Sequence, residues 1–207
     1  MLERRRERLM TREVSLDATM DRYAQGDESA FARLYEGLGP KLRLFLLRLA
    51  GRSAVADDLL QDTFMRIHRA RGSFQPGAPV LPWAYAIARN TWLDHVRSAK
   101  VRGKSLDHES GDGETSREPA TGPEADAEKA AIAQETAALI HRVLDGLPAN
   151  QREAFVLLRY EGLSVQQAAE ILGSTPAAVK LRAFRAYEAL REALGHKPSG
   201  GRDRHEA

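Results

Sequence analysis

Residues 147–194 read LPANQREAFVLLRYEGLSVQQAAEILGSTPAAVKLRAFRAYEALREAL. Their pattern predicts three helices. The first ends immediately before Gly162, which interrupts the apolar spacing. The second begins at Ser164, because Gln167 three residues later completes a capping box in which each side chain satisfies a free backbone N–H. It ends at Gly173, since glycine takes the left-handed conformation of a helix C-terminus without steric cost.

The third predicted helix is capped by Thr175 and has Pro176 at its first position. A short helix, a turn with glycine and a longer basic helix form a helix-turn-helix, whose second helix reads the major groove of DNA. The expected buried face consists of Val179, Ala183, Ala186, Leu190 and Leu194. The side left outside it holds Lys180, Arg182, Phe184 and Arg185. DNA contact is one interpretation of this basic side, and an ordinary amphipathic helix with a solvated basic face is the other.

Composition favours an all-α protein of two small helical domains joined by a flexible acidic linker. Hydrophobic residues make up 43% of the 207 residues, but they are scarce in the middle of the chain. No strand-like alternation of apolar residues persists. The absence of cysteine excludes disulfides and thiolate metal sites. The six histidines are scattered, so we expect no metal site.

The sequence also predicts a cytoplasmic protein without a membrane span. Its most apolar run, LRLFLLRLA, is short and carries Arg43 and Arg48. The N-terminal residues are charged and lack the apolar segment of a secretory signal. The net charge of +2 conceals a segregation, because basic residues collect in the predicted helices and acidic residues in the middle.

Five segments follow from these patterns. Residues 1–25 hold an arginine cluster (Arg4, Arg5, Arg6 and Arg8) and are expected to form a flexible or partly helical basic extension, either solvated or in contact with nucleic acid. The remaining segments are a helical module at 26–102, an acidic linker at 103–125, the helix-turn-helix module at 126–195 and a disordered tail at 196–207.

The first module is expected to contain two helices and then a proline-rich loop. Apolar residues recur at helical spacing from Asp27, a predicted N-cap, with a kink or break expected at Pro40. Ser53 is expected to cap the next helix, which has a polar face with Asp58, Gln61, Asp62 and Arg66. The loop GSFQPGAPVLP is expected to be rigid and to present the Phe74 side chain.

The helix after Pro82 mixes Trp83 and Trp92 with basic residues. This mixture suits single-stranded or distorted DNA, because bases stack on aromatic rings while phosphates contact cations. The alternative is that both tryptophans belong to the core.

These modules resemble those of bacterial sigma factors, specifically the extracytoplasmic-function (ECF) group, which keeps conserved regions 2 and 4. DDLLQDTFMRIHRA resembles the segment that binds the clamp helices of the largest subunit of core RNA polymerase. LPWAYAIARNTWLDHVRSAK resembles the helix that recognises and melts the minus-ten promoter element. LPANQREAFVLLRYEGLSVQQAAEILGSTPAAVK resembles the module that binds the minus-thirty-five element.

The resemblance implies three sets of binding residues. Core polymerase binding is assigned to Asp58, Leu59, Gln61, Asp62 and Phe64. Contacts to the minus-ten element are assigned to Phe74, Arg89, Asn90, Asp94, Arg97 and Lys100, with the Phe74 loop holding a flipped base. Contacts to the minus-thirty-five element are assigned to Thr175, Lys180, Leu181, Arg182, Phe184 and Arg185. Leu181 stands where the family usually has a small polar residue, so the promoter sequence stays open.

The resemblance further implies a non-enzymatic subunit that directs promoter-specific initiation. Its partners would be the largest and second-largest subunits of core RNA polymerase, promoter DNA and an anti-sigma protein. No cofactor is expected, and the chain free of partners should be a monomer.

Two other classes of function are weaker. A stand-alone regulator that binds duplex DNA as a dimer explains the C-terminal module but gives the polar face at Asp58 and the helix at Trp83 no role. An enzyme would need paired catalytic carboxylates, a phosphate-binding glycine loop or a nucleophile beside a base, and the sequence offers none of these patterns.

Overall fold

The computed structural model describes residues 16–101 and 124–195, without the side chains of residues 100 and 124–133. These ranges contain α-helices and no strand, which confirms the all-α prediction. The helices are α1 (residues 16–24), α2 (Ala30–Ala50), α3 (Ser53–Ala70), α4 (Val80–Val101), α5 (Glu124–Gly146), α6 (Ala149–Phe155), α7 (Val165–Leu172) and α8 (Pro176–Ala193). We call α1–α4 the N-terminal module and α5–α8 the C-terminal module. The predicted tail at 196–207 and nearly all of the predicted linker lie outside the described residues.

The local signals of the helix-turn-helix are confirmed. Ser164 Oγ accepts a hydrogen bond from the Gln167 backbone N–H at 3.1 Å, and Gln167 Oε1 accepts one from the Ser164 N–H at 2.9 Å. Gly173 ends α7 with φ +57°. Thr175 Oγ1 accepts a hydrogen bond from the Ala178 N–H at 3.2 Å, and a proline opens α8 as predicted.

The helix that precedes α7 ends in a wider turn. After α6, residues Val156–Tyr160 form a π-helical turn, and the Glu161 N–H donates to the Val156 carbonyl at 3.1 Å. Gly162 then reverses the chain with φ +68°. The predicted helix end near Gly162 is therefore confirmed, although the π turn was not predicted.

Two predicted helix caps are wrong. α2 begins at Ala30 after Ser29, while Asp27 Oδ1 accepts a hydrogen bond from the Ser29 N–H at 3.1 Å in a turn before the helix. Ser53 is the first helical residue of α3 rather than its cap, and its hydroxyl accepts a hydrogen bond from Arg43 at 2.8 Å. Both side chains hydrogen-bond locally, but neither caps the helix that follows it.

Of the kink or break expected at Pro40, the break is absent. α2 is one α-helix from Ala30 to Ala50, and Gly51 ends it with φ +69°. A proline inside a helix costs about 3 kcal/mol because it removes one backbone hydrogen bond and crowds the preceding turn. This helix buries leucines on both sides of Pro40, and their packing against α3 and α4 outweighs that cost.

α1 belongs to the core: residues 16–24 are helical, as one alternative for the extension held, but the expectation that they extend away from the module is wrong. Leu16, Met20 and Tyr23 are 6%, 0% and 1% exposed and pack into the same apolar cluster as α2 and α3. Residues 1–15 lie outside the described part of the chain.

Two carboxylates of α1 accept hydrogen bonds from the backbone of the loop before α4 and from the start of α4. Asp17 Oδ1 accepts a hydrogen bond from the Val80 N–H at 2.7 Å. Asp21 Oδ1 accepts one from the Gly77 N–H at 3.0 Å. Because these two N–H groups lie just before or at the start of α4, α1 sets where that helix begins.

The two modules pack against each other. One continuous apolar cluster includes Leu42 and Ala84 of the N-terminal module together with Leu157 and Ile171 of the C-terminal module. A smaller cluster of Leu144, Phe155, Ala186 and Leu190 joins α5, α6 and α8. On α8 the predicted buried face is confirmed for Val179, Ala186 and Leu190, whereas Leu194 is 38% exposed at the helix end and not buried.

Candidate polymerase and nucleic-acid interfaces

The polar face of α3 is accessible. Asp58 and Gln61 are exposed and Asp62 is half-buried. Leu59 and Phe64, in contrast, are 5% and 4% exposed and belong to the core. The predicted polymerase-binding residues therefore lie on one helix but on two different sides of it.

Arg66 connects this face to α4. Its guanidinium pairs with Asp62 on α3 at 3.1 Å and with Asp94 on α4 at 2.6 Å. The hydrogen bond from Arg66 lowers the pKa of Asp94 below its ordinary value. Asp94 also pairs with Arg97 at 3.3 Å. Its carboxylate thus stays ionised at neutral pH and is held by two arginines.

A groove of about 720 Å³ lies beside the polar face of α3, and we call it the aromatic groove. The Phe64 ring lies 4.7 Å from Tyr35 and 6.0 Å from Phe31, measured between ring centroids. The groove is also lined by Tyr23, Glu28, Asp57 and Gln61. The sequence analysis missed this groove because it placed Tyr23 in a flexible extension.

The loop before α4 does not present Phe74. This side chain is 5% exposed, and its ring packs edge-on against Trp83 with centroids 5.1 Å apart. The prediction of an exposed ring is wrong for this conformation, because the ring fills space between the loop and α4. The assignment of a flipped base to this loop stays a prediction.

The tryptophans of α4 are largely core residues, as the alternative interpretation held. Trp92 is 7% exposed and stacks on His95 with centroids 5.8 Å apart. Trp83 is half-buried against Phe74. The Trp92 indole is therefore not available for stacking a base in this conformation.

The polar residues assigned to the minus-ten element differ in accessibility. Asn90 and Arg97 are exposed. Arg89 points into the interface between the modules, where its Nε lies 2.7 Å from Glu153 of α6 and its side chain is 18% exposed. The side chain of Lys100 lies outside the described part. Glu153 was not singled out from the sequence, because only the packing of α6 against α4 brings it to Arg89.

The outer face of α8 is exposed to solvent and carries both basic and apolar side chains. Lys180 and Arg185 are exposed, and so are Leu181 and Phe184, at 51% and 58%. Arg182 is half-buried. A shallow cavity of about 360 Å³ beside Phe184 is also lined by Phe155, Leu158, Arg159, Lys180, Ala183 and Tyr187. The predicted set for the minus-thirty-five element therefore shares one surface, except that the Thr175 hydroxyl oxygen accepts the cap hydrogen bond of α8.

Metal sites and membrane-spanning helices were also sought among the described residues. Among the side chains described, those of residues 16–99, 101 and 134–195, no three histidine or acidic groups come together in a way that could hold a metal ion. In the part of the chain that the structure describes, no helix combines the length and apolar character needed to cross a membrane.

Family models match both modules. The model of Sigma-70 region 2 matches residues 34–102, and that of Sigma-70 region 4 matches residues 137–190. The chain is 35% identical over 179 residues to the RNA polymerase sigma factor CarQ of Myxococcus xanthus, covering 85% of this chain and 95% of that protein. It is 34% identical over 182 residues to the ECF RNA polymerase sigma factor SigM of Mycobacterium tuberculosis, covering 86% of this chain and 84% of the relative. The chain belongs to the ECF group of sigma-70 factors.

Solved structures of sigma factors agree with this assignment. The sigma factor RpoE, in complex with the anti-sigma factor NepR from Bartonella quintana, superposes with a TM-score of 0.61 at 28% identity, covering 80% of this chain and 96% of that one. CnrH, in complex with the cytosolic domain of CnrY, gives a TM-score of 0.60 at 26% identity, covering 89% and 97%. The expected family, fold class and function in promoter-directed transcription initiation are thereby confirmed, with region 2 in the N-terminal module and region 4 in the C-terminal module.

Proposed function

We propose that this sigma factor acts as a dissociable, non-enzymatic subunit of RNA polymerase in the cytoplasm, with one binding surface on each of α3, α4 and α8. The observation that carries the proposal is the accessibility of three polar faces on three helices of two sigma modules. The opposite side of each of these helices is apolar and buried. Each polar face can therefore bind a partner while its helix stays packed in the core.

The α3 surface is proposed to bind core polymerase. Asp58 and Gln61 are exposed beside the aromatic groove, and Met65 on the same helix is 48% exposed. An acidic and polar rim around an apolar groove suits an amphipathic helix with basic flanks, such as a coiled-coil segment of a large subunit. Leu59 is buried, so we assign it a role in positioning α3 rather than in contact.

The α4 surface is proposed to bind the minus-ten element. Asn90 and Arg97 are exposed on its outer side and can reach bases and phosphates. Phe74 holds a flipped base only if its ring first leaves Trp83, because that ring is buried here. Arg89 contacts DNA only after its pair with Glu153 opens.

The α8 surface is proposed to read the minus-thirty-five element in the major groove. Lys180 and Arg185 supply charged donors for guanine edges or phosphates, and Phe184 supplies an apolar contact for a thymine methyl group. Leu181 is exposed on the same side, so the base beneath it is read by apolar contact rather than by a hydrogen bond.

An anti-sigma protein is the partner proposed to keep the chain inactive. The solved neighbours RpoE and CnrH are each bound to another protein, which in the first case is named as an anti-sigma factor. The aromatic groove and the shallow cavity of α8 are the apolar surfaces that such a protein would cover.

Reconstituted transcription tests the proposal. Purified core RNA polymerase is mixed with a pool of promoter fragments, with this protein added or withheld, and transcript start sites are mapped. Specific transcripts that appear only with the protein support the proposal. Tight binding to duplex DNA as a dimer, with no effect on core polymerase, would favour the stand-alone regulator instead.

A further inference from the structure

Arg66 lies between the polar face of α3 and the outer side of α4, and it belongs to none of the proposed sets of binding residues. Its Nε donates a hydrogen bond to Asp62 Oδ2 on α3 at 3.1 Å. Its Nη1 donates one to Asp94 Oδ2 on α4 at 2.6 Å. The planar guanidinium therefore engages carboxylates of two helices with two of its edges, and this fork fixes Asp94 relative to α3.

The carboxylate of Asp94 extends these interactions along α4. Its second oxygen, Oδ1, accepts a hydrogen bond from Arg97 Nη1 at 3.3 Å. The Arg97 side chain is 75% exposed, compared with 34% for Arg66. Opposite charges thus alternate in the order Asp62, Arg66, Asp94 and Arg97, and we call this row the charge ladder. Its exposed end lies on the α4 surface that is proposed to bind DNA.

We propose that Arg66 is a positioning residue for minus-ten recognition, which acts through Asp94 to hold the Arg97 side chain in the orientation that binds the promoter strand. Both oxygens of Asp94 accept hydrogen bonds from arginines, so Asp94 serves the ladder rather than contacting DNA itself. This inference rests on the proposed role of the α4 surface, and it adds a residue of α3 to that role.

An exposed arginine benefits from such support, because binding must restrict its many rotamers. Ordering one long side chain at an interface opposes binding by an amount that corresponds to about 2- to 10-fold in affinity. A surface ion pair three residues apart on a helix gives little order by itself. The pair of Asp94 and Arg97 differs from such a pair, because Asp94 is already fixed from α3 and can hold Arg97 without first being ordered.

The charge ladder leaves Arg97 able to bind DNA. A guanidinium has several N–H donors, and the bond to Asp94 engages Nη1. The remaining donors can reach a phosphate or a base edge. At 3.3 Å this bond is also longer than those of Arg66 to Asp62 and Asp94, so Arg97 can adjust to its ligand while Asp94 stays in place.

The test separates positioning from charge, because Arg66 also neutralises carboxylates that would repel phosphates. Arg66→Lys keeps the positive charge, but its single ammonium group cannot reproduce the fork that engages both carboxylates. Arg33→Lys is the matched control, since Arg33 is an exposed arginine on α2 of the same module. Arg97→Ala removes the exposed end of the ladder and is made both alone and together with Arg66→Lys.

Each variant of the full chain is mixed with core RNA polymerase at a saturating concentration of the variant, and the holoenzyme is titrated with labelled forked DNA at fixed ionic strength. The fork carries a single-stranded minus-ten element from a promoter mapped by reconstituted transcription. We expect Arg66→Lys to weaken binding by about 2- to 10-fold and Arg33→Lys to leave it unchanged. In the Arg97→Ala background we expect no further loss from Arg66→Lys, because no side chain is left to position.

A structural or purely electrostatic role of Arg66 does not depend on Arg97. Equal losses from Arg66→Lys with and without the Arg97 side chain would therefore overturn the inference and leave the proposed function intact. Undiminished affinity in Arg66→Lys would overturn it as well. If Arg97→Ala alone binds the fork as tightly as the unmodified protein, the proposed α4 contact is refuted and the inference falls with it.

Asp94→Asn gives a second measurement if urea unfolding shows that Arg66→Lys does not fold. It nearly keeps the size of the side chain and removes the charge that holds both arginines. Loss of a negative charge would by itself strengthen DNA binding, so a weaker complex indicates lost positioning. We expect this loss to disappear in the Arg97→Ala background, and a tighter complex or a persistent loss contradicts the inference.

Discussion

Replacing Phe74 by alanine tests whether this ring supports the fold or serves DNA. The ring is 5% exposed and packs edge-on against Trp83, so its removal deletes a buried side chain together with an aromatic pair. Buried Phe→Ala changes cost about 3–5 kcal/mol. A loop can partly collapse into the space, so we expect about 3 kcal/mol. With a urea m-value of about 2 kcal/mol/M, the unfolding midpoint falls by about 1.5 M.

Tryptophan fluorescence during urea unfolding measures the loss of stability in the N-terminal module, because both tryptophans of the chain lie on α4. Phe184→Ala is the matched control, since that phenylalanine is 58% exposed and its removal should cost below about 1 kcal/mol. Equal midpoint shifts for the two variants would refute the packing argument. Phe74→Leu adds a second readout: it keeps an apolar side chain, and a loss of minus-ten affinity with little loss of stability would indicate a stacked base.

Three further predictions concern the proposed surfaces and the titration of Glu161. Arg185→Ala should weaken minus-thirty-five binding by about 1–3 kcal/mol in a binding titration and leave core polymerase binding intact, whereas an equal loss of both would make the residue structural. Asp58→Arg should do the reverse, and unchanged affinity for core polymerase would remove α3 from that interface. Burial raises the pKa of Glu161 despite hydrogen bonds from Tyr85 and Arg48 and the charge of Lys41. The folded state therefore binds a proton more readily than the unfolded chain, so the free energy of unfolding should fall as pH rises from the ordinary glutamate pKa through the raised one. Urea unfolding measured across weakly acidic pH should show this slope in the unmodified protein, and the same slope in Glu161→Gln would assign it to another group.

Local signals explain why the helix-turn-helix could be predicted so closely. The capping box of Ser164 and Gln167, the left-handed Gly173 and the Thr175 cap depend on residues three or fewer positions apart. Such interactions form in almost any tertiary context, and the sequence shows both partners side by side.

The failed predictions share a dependence on distant residues. α1 has only a short apolar stripe, and its burial follows from packing on α2 and α3. Helix α2 continues through Pro40 because tertiary packing outweighs a local penalty. Phe74 was expected to be exposed because it has no periodic neighbour, and its partner Trp83 belongs to the next helix.

The contacts of Glu161 with the N-terminal module were beyond prediction for the same reason. Glu161 lies 113 residues from Arg48 and 76 from Tyr85 along the chain. Nothing in the local pattern distinguishes it from a solvated helix-end acid, and the π turn that precedes it is itself unpredicted. The candidate DNA-binding residues were found by resemblance to a family, which indicates roles but not which of them are covered in the free protein.

The carboxylates of Asp17 and Asp21 accept hydrogen bonds from the Val80 and Gly77 N–H groups, so the first domain must begin upstream of them. The region 2 match begins at residue 34, yet a fragment cut at that point would lose the two carboxylates that hold the loop after Phe74 in place. An expression fragment of this domain must therefore start at or before residue 16, or the helix that follows the loop loses the anchor of its first turn.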